Sequence, residues 1–176
     1  MTYEPREYWT NRPPLVRKPA HEAQEQALLD ALGRIQVKSI LEVGVGNGRI
    51  GNLLCERWPN ASYTGLDISP DRLAEARENL PERAELVEAD FLAWDQDGRQ
   101  YDLVVAVEVL MHVRPDDIED AVARLFYWSR RHIVTVDWTE PIAKRIAAWN
   151  FLHDYAALGL EAVAKTGLQS VHHAKA

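Results

Sequence analysis

Cysteine is nearly absent: Cys55 is the one thiol in 176 residues. That excludes an internal disulfide framework and a zinc site built on cysteines, and it makes the cytoplasm the expected setting. Long apolar runs are missing too. No stretch approaches the roughly 20 residues that a membrane-spanning helix needs, so no membrane role is expected. Positive charge is in deficit: 20 Lys and Arg face 27 Asp and Glu, a formal net charge of −7. The basic residues are scattered, in clusters no longer than Arg17-Lys18 and Arg130-Arg131. The chain therefore lacks the footprint of a phosphate-backbone reader, and nucleic acid is not the expected partner. Residues 1–19 are polar and carry Arg6, Arg12, Arg17 and Lys18, without the apolar stretch of a signal peptide. Internal repeats and low-complexity tracts are also absent.

What is present suffices for one core. Hydrophobic residues make up 47% of the chain, and its length fits one domain. The organisation read from it is an N-terminal arm, 1–20, followed by a single domain, 21–176. Pro5, Pro13, Pro14 and Pro19 forbid a continuous helix in the arm, which reads as extended. Its aromatics, Tyr3, Tyr8 and Trp9, should pack on the domain.

Beyond the arm, strands and helices alternate. Ala23, Ala27, Leu28 and Leu32 recur at helical spacing from about His21 to Gly33. Ser39–Val43 reads as a buried strand ending at Gly44. A helix is expected over about 49–58, a second strand over 63–66, and a helix opened by Ser69-Pro70-Asp71. Leu86-Val87 marks a short third strand, 94–100 a polar loop, and 102–107 a fully buried fourth strand. A helix should open at Pro115-Asp116-Asp117. Residues 132–136 read as a fifth strand, about 141–151 as a helix, and 160–174 as two strands joined by a turn at Thr166-Gly167. The fold class is therefore α/β: a seven-stranded, mostly parallel sheet with helices on both faces and a C-terminal antiparallel hairpin. In such sheets ligands sit beyond the carboxyl ends of the strands, where strand order reverses. That directs attention to 44–48, 67–69, 90–91, 108–112 and 137–139.

The chemistry at those positions is coherent. Gly44, Gly46 and Gly48 follow the first strand, where missing Cβ atoms let backbone approach a ligand and the next helix offers unpaired N–H groups. Glu42 lies in the strand just before them. Asp67 ends the second strand, where a carboxylate can accept both hydroxyls of a ribose. Asp90 follows the third and can accept from an exocyclic amine. Ile68 can cover one face of a flat ring, with Phe91 nearby. Taken singly, each is more often a turn or a cap; their value lies in falling in order, each after its own strand.

Ile40-Leu41-Glu42-Val43-Gly44-Val45-Gly46-Asn47-Gly48 resembles the first motif of the class I S-adenosylmethionine-dependent methyltransferases, an acidic residue followed by x-Gly-x-Gly-x-Gly. Tyr63–Ser69, with Asp67, is similar to the family's second motif. Glu88–Phe91 resembles the adenine-reading segment, and Tyr101–Val105 with Glu108–Val113 the fourth strand and its exit. The resemblance implies a Rossmann-like fold, S-adenosyl-L-methionine as cofactor, and methyl transfer to a nucleophile on a small molecule. Glu42, Gly44, Gly46, Gly48, Asp67, Ile68, Asp90, Phe91 and Glu108 would bind the cofactor, with Glu108 at its methionine end. The Asp/Asn-Pro-Pro-aromatic signature of amino-methylating nucleic-acid enzymes is replaced by Glu108-Val-Leu-Met.

Two alternatives stand beside it. Gly46-Asn-Gly48-Arg-Ile-Gly51 with Asp67 about 20 residues on matches the nicotinamide fingerprint, though nothing else resembles a separate substrate domain. The other is a catalytically inactive, methyltransferase-like partner protein. A metal-dependent RNA-end methyltransferase would need a second glutamate where Met111 stands, so no metal is expected. His112 is read two ways: as a general base, since an imidazole titrates near about 6.5, or as a capping histidine beside Pro115. Trp138, Tyr8, Trp9 and the His153-Asp154-Tyr155 cluster read more naturally as packing. A homodimer is left open.

Overall fold

The computed structural model describes residues 4–10, 12–13, 16, 18–95, 98–139, 149–166 and 169–176. The arm is not wholly extended. Residues Pro5–Thr10 form a short helix, α1. Pro5 occupies its first position, where a proline's fixed φ suits a helix and its missing N–H costs nothing, so the same residue that reads as a breaker is a starter. Tyr3 lies outside the described residues.

Helix α2, Pro19–Leu32, begins two residues earlier than the apolar spacing suggests, again with a proline in its first turn. Its buried face carries Gln24 as well as Leu28 and Leu32. Strand β1 spans Ser39–Val43, α3 Arg49–Arg57 and β2 Ser62–Asp67. Helix α4, Pro70–Asn79, is capped as expected, the Ser69 hydroxyl accepting from the Arg72 N–H. Strand β3 is Glu85–Glu88 and β4 is Tyr101–Val107. After a 3-10 turn at Leu110–His112 comes α5, Ile118–Trp128, which starts after Asp117 because Pro115–Asp117 form a turn of their own. Strands β5, Ser129–Trp138, β6, Glu161–Thr166, and β7, Gln169–Ala174, complete the order. The helix read over 141–151 falls mostly on 140–148, outside the described residues; 149–151 are not helical.

All seven strands join one sheet in the order β3-β2-β1-β4-β5-β7-β6. The first five are parallel, and β7 lies antiparallel between β5 and β6. Two apolar layers cover it. Ile40, Leu103, Val105, Val134 and Val136 pack under α2, α3 and α4, while Leu41, Val43, Val104, Ala106 and Ile133 pack with α5. Strand order reverses between β1 and β4, so residues leaving the ends of β1, β2, β3 and β4 meet at one edge. No helix among the described residues is long and apolar enough to cross a membrane.

Candidate functional site

The loop after β1 is built around backbone that only glycine accepts comfortably. Gly44 has φ +71°, and a Cβ there would lie 2.4 Å from Cγ2 of Val109. Gly46 has φ +54°, and its N–H donates to Oδ2 of Asp67 at 2.8 Å. The other oxygen, Oδ1, accepts from the Ser69 N–H at 2.9 Å. Asp67 thus ties the end of β2 to the glycine loop with one bond to each oxygen, leaving further acceptor positions on both. Burial raises its pKa, and the N–H groups of Ser69 and Gly46 work in the opposite direction.

These residues open onto a cavity of about 410 Å³. Gly44, Gly46, Asp67, Ile68, Asp90 and Phe91 all line it, as do Glu108 and His112. Asp90 also accepts from the Leu92 N–H at 3.0 Å, so its turn-capping role is real alongside its place at the cavity wall. The arm contributes Glu4, Pro5 and Trp9 to the same lining. A smaller cavity of about 270 Å³ carries Gly48, His21, Asn47 and Arg49, and Glu108 is shared by both.

Glu42 lines neither cavity. On the pleat it shares a side with Ile40, facing the helices of α2 and α3, and it is fully buried. The Tyr63 hydroxyl donates to its Oε2 at 2.6 Å. Burial pushes its carboxyl up to about 8, against the pull of the Tyr63 hydrogen bond and Arg49.

The exit of β4 is strained. Glu108 has φ +58°, the only positive φ outside glycine among the described residues. Such a conformation costs on the order of 1–3 kcal/mol and persists only where the surroundings enforce it. Here the Glu108 N–H donates to Val136 O at 2.7 Å, and its Oε1 accepts from Nε2 of Gln169. The following turn is held from β5: the Met111 N–H donates to Oδ1 of Asp137 at 3.1 Å. Asp137 is wholly buried, and burial raises its carboxyl to about 7.

His112 closes this turn. Its Nδ1 lies 3.1 Å from Trp149 O, and its ring meets Trp9 edge-on at 4.7 Å. Burial lowers its pKa, opposed by the Trp149 carbonyl and by Glu108. It is therefore a half-enclosed imidazole facing the cavity, suited to neutral hydrogen bonding near neutrality. Trp138 and Tyr8 line neither cavity. His153 and Asp154 cap and pack as read: His153 Nε2 reaches the carbonyls of Leu110 and Val113, and Asp154 accepts from the Ala157 N–H. Among the described residues no three His, Cys, Asp or Glu side chains gather as a metal site.

Sequence reasoning did not single out Gln24 and Gln169, and it reached Asp137 only as part of the segment 137–139. Gln24 and Gln169 are far apart in the chain yet hydrogen-bonded at 2.9 Å, and nothing in local spacing announces such a pair.

Known proteins resemble the chain in sequence and in fold. A family model described as a methyltransferase domain matches residues 40–132. Trans-aconitate 2-methyltransferase of Escherichia coli O139:H28 is 32% identical over 155 residues, covering 82% of this chain and 60% of that relative. The protein of Escherichia fergusonii with the same name is 33% identical over the same span. The chain thus spans about 60% of the length of these relatives. Among solved structures, the N-methyltransferase NodS from Bradyrhizobium japonicum WM9, in complex with S-adenosyl-l-homocysteine, superposes with a TM-score of 0.77 at 16% identity, covering 97% of this chain and 95% of that one. At that identity the likeness is one of fold.

Proposed function

The chain belongs to the class I S-adenosylmethionine-dependent methyltransferases, and from that premise we propose that it transfers a methyl group from S-adenosyl-L-methionine to a nucleophile on a small molecule. The observation that carries this is the convergence of Gly44, Gly46, Asp67, Ile68 and Asp90 on one cavity from the ends of three different strands. In this reading Asp67 accepts the ribose hydroxyls and Asp90 the exocyclic amine. Ile68 and Phe91 flank the adenine ring. Bare backbone at Gly44 and Gly46 lies along the cofactor, and Glu108 faces its methionine half. Glu42 and Gly48 act from behind the loop, Glu42 by bracing β1 against β2 through Tyr63.

When bound, the cofactor supplies a methyl group activated by a positive sulfur. The protein's own part is alignment: it holds the acceptor in line and keeps water away. His112, facing the cavity as a ring made less basic by burial, is placed to accept a hydrogen bond from an acceptor. Two observations support a small-molecule acceptor: the chain carries a formal net charge of −7, and the relatives are named for trans-aconitate. A cytoplasmic setting, motivated by the single cysteine, belongs to the same proposal.

The nicotinamide alternative is overturned by the family match. An inactive partner protein is separated by experiment. Purified protein is incubated with methyl-labelled S-adenosylmethionine and a metabolite extract. Label in the small-molecule fraction is expected. Label confined to protein or nucleic acid overturns the acceptor class, and cofactor binding without any transfer identifies the inactive partner.

A further inference from the structure

A hydrogen-bonded chain runs from Arg49 to Glu108 through two glutamines. Arg49 Nη2 donates to Oε1 of Gln24, Gln24 Nε2 donates to Oε1 of Gln169 at 2.9 Å, and Gln169 Nε2 donates to Oε1 of Glu108. Its direction is dictated by its ends. A guanidinium only donates, so the Gln24 oxygen must face Arg49. A carboxylate only accepts, so the Gln169 amide nitrogen must face Glu108. Both amides are thereby oriented, and cation and anion polarise the chain in the same sense. Arg49 is itself anchored by Glu25 at 2.9 Å, and Gln24 is 1% exposed.

The chain ends on the residue that needs most holding. Glu108 sits at φ +58°, where glycine would be less strained, and it is the one described residue shared by the two cavities. Its charge acts on His21 from one side and His112 from the other. Its Oε2 accepts no hydrogen bond from a described residue, whereas Oε1 is committed to Gln169.

Building on the function proposed above, we propose that Gln24 and Gln169 are positioning residues that aim Oε2 of Glu108 at the methyl-transfer point, where it receives the N–H or O–H of the acceptor. The acceptor class is then an amine or a hydroxyl, which departs from the relatives named for trans-aconitate, a carboxylate: a carboxylate carries no proton to donate and meets a like charge. The step balances: the acceptor lone pair forms the new bond to the methyl carbon, the carbon–sulfur pair returns to sulfur, and the surplus acceptor proton passes to Oε2 of Glu108.

The test uses two ligands that differ at that point. S-adenosylhomocysteine has a bare thioether sulfur there; sinefungin carries a protonated amine in place of the methylated sulfonium. Calorimetry should show the wild-type protein preferring sinefungin by about tenfold or more, the scale of one charge-assisted hydrogen bond. Glu108→Gln and Gln169→Leu should each lose most of that preference. Gln24→Glu, which still accepts from Arg49 but cannot donate to Gln169, should lose part of it and guards against a folding failure in Gln169→Leu. No preference in the wild-type protein overturns the placement of Glu108. So does an equal loss of affinity for both ligands in Glu108→Gln, which would put the carboxylate at the shared amino-acid end. A preference unchanged in Gln169→Leu and Gln24→Glu overturns the positioning role. Failure of the wild-type protein to bind either ligand is a different result, and it overturns the cofactor reading itself.

Discussion

Trp9 of the arm meets His112 of the β4 exit edge to face, their ring centroids 4.7 Å apart and their planes inclined at 70°. Trp9 therefore packs at the cavity, with Glu4 and Pro5 in the same lining. The ion pair between Arg6 and Glu88 is largely exposed and adds little to this docking. The arm lines the cavity, and we propose that it covers the bound cofactor and excludes water. Trp9→Ala should weaken S-adenosylhomocysteine binding by roughly threefold to tenfold, the scale of one aromatic contact of about 0.5–1.5 kcal/mol. Deleting residues 1–12 should weaken it further while the domain stays folded by circular dichroism. A folded truncation with wild-type affinity would end the idea of a cover.

Asp67 links the glycine loop to β2 and also presents acceptor oxygens to the cavity. Asp67→Ala should lower cofactor affinity by about tenfold to a hundredfold, since a hydrogen bond to a charged group is worth roughly 1.5–3 kcal/mol. Asp67→Asn is the sharper variant. It keeps one acceptor oxygen but offers an amide where Oδ1 or Oδ2 now accepts a backbone N–H. It should fall between the two in calorimetry, and equal affinity in all three proteins would leave Asp67 with only a structural part.

Gly44 and Gly46 share positive φ and a place on the cavity wall, and a steric reason for glycine is added at Gly44. At Gly44 a side chain collides with Val109, so substitution there disturbs packing first. Gly46 has positive φ and lines the cavity, so Gly46→Val should abolish detectable cofactor binding. Its thermal midpoint should drop by only a few degrees, in keeping with a strain of about 1–2 kcal/mol. Normal affinity in that variant would mean that the loop is a turn and nothing more.

Particular residues show why some features were legible and others not. Buried runs such as Leu103–Val107 and the caps at Ser69 and Pro70 are local signals, and strands and helices appear where they point. The positions of Asp67 and Asp90 follow from strand ends for the same reason. Helix α1 was hidden because proline both breaks and begins helices. Gln24 was hidden because its burial depends on a partner 145 residues away. Glu42 was expected at the cofactor through the motif, yet strand alternation sets it beside Ile40, on the side that carries Tyr63. The pleat, read alone, separates it from Val43, which does reach the cavity.

That buried carboxyl should leave a signature in stability against pH. Burial raises Glu42 from its ordinary value of 4.5 to about 8. A group whose folded pKa is raised favours the folded state while it is protonated. Its contribution is complete below the unfolded value and is lost as pH climbs through the folded one. The window for Glu42 is therefore about pH 4.5 to 8. At about 1.4 kcal/mol per tenfold change in proton affinity, the loss across it is several kcal/mol. Asp137 titrates with the same sign from 3.8 to about 7, so the wild-type curve alone does not isolate Glu42. Glu42→Gln does: it stays neutral and still offers Tyr63 an acceptor oxygen. The two proteins should unfold at similar temperatures near pH 5. As pH rises toward 8 the wild-type midpoint should fall and that of Glu42→Gln should fall less, the gap widening throughout. Parallel curves in a thermal denaturation series would show that Glu42 is already ionised in the folded protein, and that the sheet carries a buried charge braced by Tyr63 and Arg49.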